Sequence, residues 1–352
     1  MDATFDLNGD WDRLLASSIS DTVFLSSAWL RAWRETLGAD ARLVIPQIRK
    51  DGELIAAAAF QQRDGVIEFA AAGPSDYADF VVSNHVDIAT TRNLIWRLIH
   101  LAVEQVPGFK YFRLFGIVTD VSATMAMLRE REKGYFVIPI GQIMAPSMEM
   151  TAVEKGLNKK SIKRHERALE KLGTLTSETF RHASEVLPQI DEFFDQHVRR
   201  WELKTPTSLF VEEANRAFYR RASEHLDRSG ALRYLTLRLD GRLIAAHFGF
   251  FYRGRYIWYK PSFELELAKS SPGEVLIKRL FEAARDEGAD EFDFTIGDEA
   301  FKYRFATQAR TVIELLITKS MTTAALTWAR GTARRARDAG LHVLSRSGAP
   351  ND

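Results

Sequence analysis

Tyr256-Ile257-Trp258-Tyr259, then Ser270-Ser271-Pro272-Gly273, then Glu291-Phe292-Asp293-Phe294 with Gly297-Asp298-Glu299 behind it: the stretch from Tyr256 to Arg304 decides the fold. Its first segment, dense in aromatic and branched residues, reads as a strand. Beyond Gly273, the residues Val275, Leu276, Leu280, Phe281 and Ala284 recur at helical spacing until Gly288, so a helix follows. Glu291 to Phe294 alternates as a strand and runs into the acidic turn. Strand, loop, helix, strand is the order of an α/β unit. The junction at Ser270 to Gly273, with Glu274 in the first turn, leaves backbone N–H groups free at the positive end of the helix dipole, a setting that suits phosphate. Proline suits the first helical turn, and glycine lets a ligand approach the backbone. The acidic turn brings Asp298 and Glu299 to the same end of the sheet, so a phosphate cradle and candidate bases stand side by side.

Outward from this stretch, residues 232–239 and 243–251 read as strands around Asp240-Gly241, a strong hairpin signal. The first half carries a counterpart: Lys50-Asp51-Gly52-Glu53-Leu54-Ile55-Ala56-Ala57 matches Leu239-Asp240-Gly241-Arg242-Leu243-Ile244-Ala245-Ala246. Similar elements follow each copy. Strands are expected at 43–48, 54–60, 66–70, 78–82, 111–115 and 135–138, and helices at 11–38 (in two pieces), 88–105, 158–172, 184–201 and 211–228. The expected fold is mixed α/β, with two tandem units, each a central mixed sheet flanked by helices. The boundary is placed in a loop at Gly141 to Met150. This gives units 1–145 and 146–320, and an Ala- and Arg-rich basic tail, 321–352. Only the second unit has the phosphate-loop pattern.

At 352 residues, 46% hydrophobic and 27% charged, the chain has room for two domains and the composition of a globular protein. Its net charge of +1 argues against a DNA-binding protein, and any charged partner must meet a local patch. The absence of cysteine excludes disulfides, thiolate metal sites and a cysteine nucleophile, so no acyl group passes through an enzyme thioester. The opening residues lack the basic and apolar regions of a signal peptide, and no apolar run reaches the length of a membrane span. The expected location is the cytoplasm. The tail, with Trp328, Arg330, Arg334, Arg335, Arg337 and Arg346, offers weak contact with the inner membrane surface, because its apolar face is mostly alanine; a solvated tail is the alternative.

Several residues carry a candidate role beside a structural one. Asp298 serves as a base towards an attacking amine or hydroxyl, or as a solvated turn residue. His247, in Ala245-Ala246-His247-Phe248-Gly249-Phe250, is a second candidate base or a hydrogen-bonded core histidine. The phenol of Tyr259 protonates a leaving thiolate or closes a core edge. Lys160, Arg164, Arg167 and Lys171 fall on one helix face: a solvated face partly neutralised by Glu166 and Glu170, or a contact for a phosphorylated acceptor. Trp201 stacks on a sugar or base, or seals a core. Asp76, Tyr77 and Asp79, after Gly73-Pro74, bind substrate or shape a turn.

These residues carry a resemblance. Tyr259, Phe263, Glu264, Ser271-Pro272-Gly273, Phe292-Asp293-Phe294, Gly297-Asp298-Glu299 and Lys302 resemble the CelD/BcsL-type acyltransferases, a GNAT-superfamily branch related to the FemABX aminoacyltransferases. Weaker matches lie at Gly73-Pro74, Asp76-Tyr77-Ala78-Asp79, Lys159 to Arg167 and Arg200-Trp201. The Ser-Pro-Gly helix start departs from the usual GNAT phosphate loop. The resemblance implies an N- or O-acyltransferase working by direct attack in a ternary complex, without a metal. Acetyl-CoA or another acyl-CoA would be co-substrate, and a small-molecule or lipid-linked sugar of the cell envelope or of an exopolysaccharide pathway the acceptor. It assigns His247, Asp298 and Tyr259 to catalysis, and Ser270, Ser271, Pro272, Gly273 and Glu274 to the donor. To the acceptor it assigns Asp76, Tyr77, Asp79, Lys160, Arg164, Trp201, Glu264, Glu299 and Lys302. Two other readings stay open: an aminoacyl-tRNA donor, and a non-catalytic binding or regulatory protein on a degenerate acyltransferase fold.

Overall fold

The computed structural model describes residues 7, 9–128, 132–202 and 207–330. In chain order the strands of the first half are β1 (Arg42–Val44), β2 (Gln47–Lys50), β3 (Glu53–Ala57), β4 (Phe60–Arg63), β5 (Val66–Phe69), β6 (Val81–Val82) and β7 (Tyr111–Val118). Then come β8 (Phe136–Glu149), β9 (Leu175–Phe180), β10 (Leu232–Leu239), β11 (Arg242–Tyr252), β12 (Arg255–Phe263), β13 (Glu291–Asp293) and β14 (Gln308–Thr318). Eleven of them make one sheet in the order β1-β4-β5-β7-β14-β8-β13-β12-β11-β10-β9, and β2-β3-β6 make a small second sheet.

The repeat read from the sequence is present in the fold. Asp51-Gly52 and Asp240-Gly241 both take positive φ at both positions, the turn that joins β2 to β3 and β10 to β11. Each half has one parallel pair, β5 with β7 and β12 with β13, bridged by the helices Ile88–Glu104 and Pro272–Asp286. Such a pair needs a long crossover, and in both halves a helix supplies it. The segment 53–63 matches 242–252, but in the first half it is split into β3 and β4, which belong to different sheets.

Prolines account for several departures from the expected elements. Residues 43–48, expected as one strand, break at Pro46, which has no N–H for a ladder, into β1 and β2 of separate sheets. The helix expected at 184–201 is two, Ala183–Val186 and Ile190–Trp201, parted around Pro188. The loop expected at Gly141 to Met150 is instead most of β8. Its Pro139, Gly141 and Pro146 read as breakers, yet the strand absorbs them by a register shift that leaves Ile140 unpaired between Leu315↔Pro139 and Glu314↔Gly141. The division expected after residue 145 therefore falls inside a strand.

That strand joins the halves. β8 follows β7 in the chain but lies beside β13, and β14 follows β13 but lies beside β7. Each half gives its last strand to the other, and the two exchanged strands pair antiparallel over Gln308–Thr318. Three cores result. One lies under helix Ile88–Glu104 with Phe60, Phe80 and Phe112, and one under helix Pro272–Asp286 with Tyr256, Phe281 and Phe292. The third is shared, and joins Trp11, Trp29 and Tyr77 of the first half to Phe193, Tyr219, Phe248 and Tyr259 of the second.

Candidate active site

β12 and β13 pair over only three residues, ending at Ile257↔Asp293. Beyond that point β12 stays with β11 as far as Phe263, while the chain after Asp293 follows β8 through Phe294 N→Pro146 O (3.0 Å) and Gly297 N→Met144 O (2.9 Å). The two parallel strands therefore part and leave a V-shaped opening in the sheet. Tyr256, Trp258, Phe292 and Phe294 belong to the core under the crossover helix, whereas Ile257 and Tyr259 belong to the shared core. The opening is thus walled by both halves.

The helix Pro272–Asp286 begins at this end, as expected, with Pro272 at its first turn and Ser271 in the left-handed region (φ 48°). Few of its amides are free. Ser271 N donates to Ala268 O (3.0 Å), and Glu274 N and Val275 N both turn back to Ser271 O (2.9 and 3.4 Å). Gly273 is the one residue from 271 to 275 whose N–H lacks a backbone acceptor, and a Cβ on it would lie 3.2 Å from the Phe263 ring. The Glu274 carboxylate is held by Arg304 and by His165 Nδ1 (3.0 Å). Burial would raise its pKa, but Arg304 and His165 outweigh burial and hold it below the usual range. Arg304 also donates to Ser161 on the helix Lys160–Glu170, so that basic helix packs beside the start of the crossover helix. There Lys160, Lys163, Arg164, Arg167 and Lys171 are exposed. Glu166 does not neutralise them, because its carboxylate is turned inward to Lys278 and Arg279 (both 2.6 Å).

The three expected catalytic residues separate. His247 has no exposed surface, and its Nε2 accepts Tyr259 N at 3.0 Å, next to the register shift between β11 and β12. Its ring stacks on Trp258 (5.2 Å, 22°), and burial lowers its pKa to about 3, so it stays neutral. Gly249 is required there, since a Cβ would lie 2.1 Å from the histidine ring. Tyr259 lies at the opening, with its hydroxyl accepting from Tyr219 (2.9 Å) and donating to Pro74 O. Asp298 is exposed on the far turn, accepting from Tyr303.

Of the expected acceptor residues, Asp76 and Tyr77 reach the opening. Tyr77 donates to Asp293 Oδ1 (2.8 Å), which also accepts Thr295 N (2.8 Å). Asp293 lines a cavity of about 180 Å³ shared with Asp21, Arg255 and Arg310, and burial raises its pKa. Asp79 faces inward, accepting from Ser20, Ser122, Thr124 and the amides of Phe80, Ala123 and Thr124. Glu264 accepts from Arg199 (2.6 Å) and Gln196 (3.2 Å), tying the helix Ile190–Trp201 to the end of β12. Trp201 stacks on His197 (5.8 Å, 9°). Lys302, 3% exposed, donates to Ile296 O (2.7 Å) and pairs with Glu299 (3.0 Å).

Sequence reasoning passed over Lys260 and Thr295. Lys260 follows four aromatic and branched residues of a buried strand, and a lysine there is a signal, since burial without a partner is costly. Its ammonium lies 4.0 Å above the Tyr259 ring. Thr295, at φ 55°, spans the opening with its hydroxyl on Trp258 O (3.1 Å). No sequence pattern marks it.

Among the described residues no cluster suited to a metal ion occurs, and no helix is long and apolar enough to cross a membrane. Of the tail, 321–330 is helical; Arg334, Arg335, Arg337 and Arg346 lie outside the described residues, as does the loop around Thr205-Pro206.

Residues 158–303 match the family described as "Acetyltransferase (GNAT) domain". No curated protein matches the chain. Among solved structures, FemX is similar at TM-score 0.61 and 11% identity, over 86% of this chain and 94% of that one. The C-terminal domain of a putative lysylphosphatidylglycerol synthetase from Agrobacterium fabrum gives 0.55 and 15%, over 92% and 96%. L-PGS from Bacillus licheniformis gives 0.53 and 13%, over 88% and 96%. At these identities the likeness is one of fold. The parted parallel strands, the crossover helix and the family match agree on the fold: residues 158–303 of this chain have a GNAT fold and are similar in sequence to the acetyltransferase domains of that family.

Proposed function

We propose that the protein transfers an acyl group from an acyl-CoA, acetyl-CoA first among them, to an amine or hydroxyl of a cell-envelope or exopolysaccharide precursor. The observation that carries this reading is the opening where β12 and β13 part beside the start of the crossover helix. The gap interrupts a sheet ladder, so a thioester lying in it takes the place of the missing strand. With no cysteine in the chain, the acceptor attacks the donor directly. The free Gly273 amide, the helix dipole and Arg304 favour the anionic end of the donor. The acceptor enters between the halves, past Asp76 and Tyr77.

A second reading has its own support. One free amide is a small cradle for a pyrophosphate, while the exposed face of the basic helix is large and without carboxylate partners among the described residues. A polyanionic carrier such as an aminoacyl-tRNA suits that face better than a nucleotide does. Mass spectrometry of ligands retained through purification, followed by turnover with acetyl-CoA or charged tRNA, tests both. Bound CoA and release of its thiol support the first reading, and transfer from charged tRNA the second. If neither donor binds nor turns over, acyl transfer fails as the function.

A further inference from the structure

Lys260 follows Tyr259 on β12, beyond Ile257, the last residue there to pair with β13, so it belongs to the part of the strand that edges the opening. It is half-buried, and its ammonium rests 4.0 Å above the Tyr259 ring. Among the described residues it has no ion pair within 4.0 Å and no hydrogen bond. The other cations nearby are committed. Lys302 donates to Ile296 O (2.7 Å) and pairs with Glu299 (3.0 Å), and Arg200 donates to Pro261 O (2.9 Å) and lies over the Phe263 ring (4.0 Å). The neighbouring nucleophiles are committed too. The Tyr259 hydroxyl donates to Pro74 O, that of Thr295 donates to Trp258 O (3.1 Å), and His247 Nε2 accepts from Tyr259 N (3.0 Å).

A lysine placed here only for packing would reach a carbonyl or a carboxylate, as Lys302 does, because an ammonium withdrawn from water without an acceptor is costly. Asp76, Lys302 and His197 are the charged or titratable groups that face it. Burial lowers its pKa below the ordinary 10.5, and the charge of Lys302 adds to that, while Asp76 works the other way. The share of neutral amine rises accordingly, and a neutral lysine is a nucleophile. With no cysteine in the chain, this amine is the strongest nucleophile that the described residues bring to the opening.

We propose that Lys260 is a self-acylation site: when no acceptor fills the opening, its Nζ takes the acyl group from a bound acyl-CoA, and the acyl-lysine then closes the opening to further turnover. This rests on the acyl-CoA reading and goes beyond it, to a control built into the same site. The ammonium first gives one proton to water. The nitrogen lone pair attacks the acyl carbon, and the C–N bond forms as the carbonyl π pair moves to oxygen. That pair then returns, and the C–S bond breaks with its electrons on sulfur. A second nitrogen proton goes to the sulfur, so the products are an amide on Lys260 and the free thiol of CoA. The amide carries no charge, so the modification removes the cation that faces Asp76 and rests on the Tyr259 ring. Its added bulk lies where the next acyl group would enter.

The test needs no acceptor. The full chain is incubated with deuterated acetyl-CoA, and peptide mass spectrometry follows the label, while equilibrium dialysis with CoA measures donor binding separately. Lys260 is expected to gain the label about tenfold or more faster than the exposed Lys50, Lys133 and Lys171, because only there are donor and amine held together. Heat-unfolded protein should lose that preference. Lys260→Arg, shown folded by circular dichroism, keeps the charge and should take up label only at the slow rate of the exposed lysines; Lys260→Gln serves the same comparison if the arginine variant does not fold. Label on Lys260 at the rate of the exposed lysines, in a protein that binds CoA, overturns the proposal and leaves the acyl-CoA reading standing. So does a folded Lys260→Arg protein that incorporates label as fast as the wild type. A wild type that neither binds CoA nor takes up label overturns both.

Discussion

Two aspartates three residues apart, Asp76 and Asp79, have opposite surroundings, and their variants should separate accordingly. Asp79 collects three hydroxyls and three amides. Asp79→Ala strands all six donors, and chemical denaturation should register a loss of about 3–5 kcal/mol. Asp76→Asn, which removes a charge that burial disfavours, should change stability by less than about 1 kcal/mol, or raise it. A second expectation concerns acid. Burial lowers both His247 and His197 to about 3 from an unfolded value of 6.5. Between those values the unfolded chain binds protons that the folded one does not, so these histidines make stability fall as pH drops below 6.5, each by about 1.4 kcal/mol per unit. Asp76, Asp79 and Asp293, raised by burial, work in the opposite sense, so the useful measurement is a difference: His247→Gln should be less stable than wild type at pH 7.5 and should lose less on going to pH 5. An unchanged acid slope would show that His247 does not resist protonation. From the sequence, Asp76 and Asp79 looked alike and His247 was as good a base as a core residue. What separates them is which donors the distant segments around Ser20, Ser122 and Thr124 bring, and no local pattern encodes that.

The helices Lys160–Glu170 and Pro272–Asp286 are pinned together through Glu166 to Lys278 and Arg279 and through Glu274 to His165 and Arg304. These contacts turn Glu166 and Glu274 inward and leave the lysines and arginines of the first helix facing water, with Glu170 the one acid of that helix still exposed beside them. The double variant Lys160→Glu, Arg164→Glu should therefore unfold within about 0.5 kcal/mol of wild type. Its affinity for a polyanionic donor should fall about tenfold or more, and binding should lose part of its salt dependence. Titration of CoA and of tRNA at two salt concentrations checks this, and tells which donor uses the face. Spacing revealed that these four cations share a face, but the two glutamates looked like their neutralising partners, because the neighbouring helix that claims Glu166 lies more than a hundred residues away. At this scale the sequence is most legible where a turn has its own chemistry. The Asp-Gly hairpins and the proline at the crossover helix start stand where they were expected. It is least legible where packing overrides a breaker, as at Pro139 and Pro146 in β8, or where a strand lies past the last recognised motif, as with β14.

The halves of the molecule are similar in plan and inseparable in structure, because β8 and β14 each complete the other half's sheet. Ending the chain after Ala306 removes β14 and bares both β7 and β8. That protein should lack a cooperative unfolding transition and aggregate, since two long unpaired edges are exposed. Ending it after Ser320 should leave the fold intact, because Met321, Leu326 and Trp328 of the following helix are mostly exposed. Thermal scans and size-exclusion chromatography of the two truncations distinguish these outcomes; a folded protein without β14 would refute the interlock. The internal repeat was legible from the hairpin motifs alone. The exchange was not, for a sequence records which strands exist and not which neighbour each one takes. The exchange also sets a clock on synthesis. A ribosome delivers the chain from its N-terminus, so β7 emerges with its edge bare and waits through some two hundred further residues for β14 to be made. The first half cannot finish until β14 has left the ribosome, and β14 is the strand that joins the two halves into one sheet.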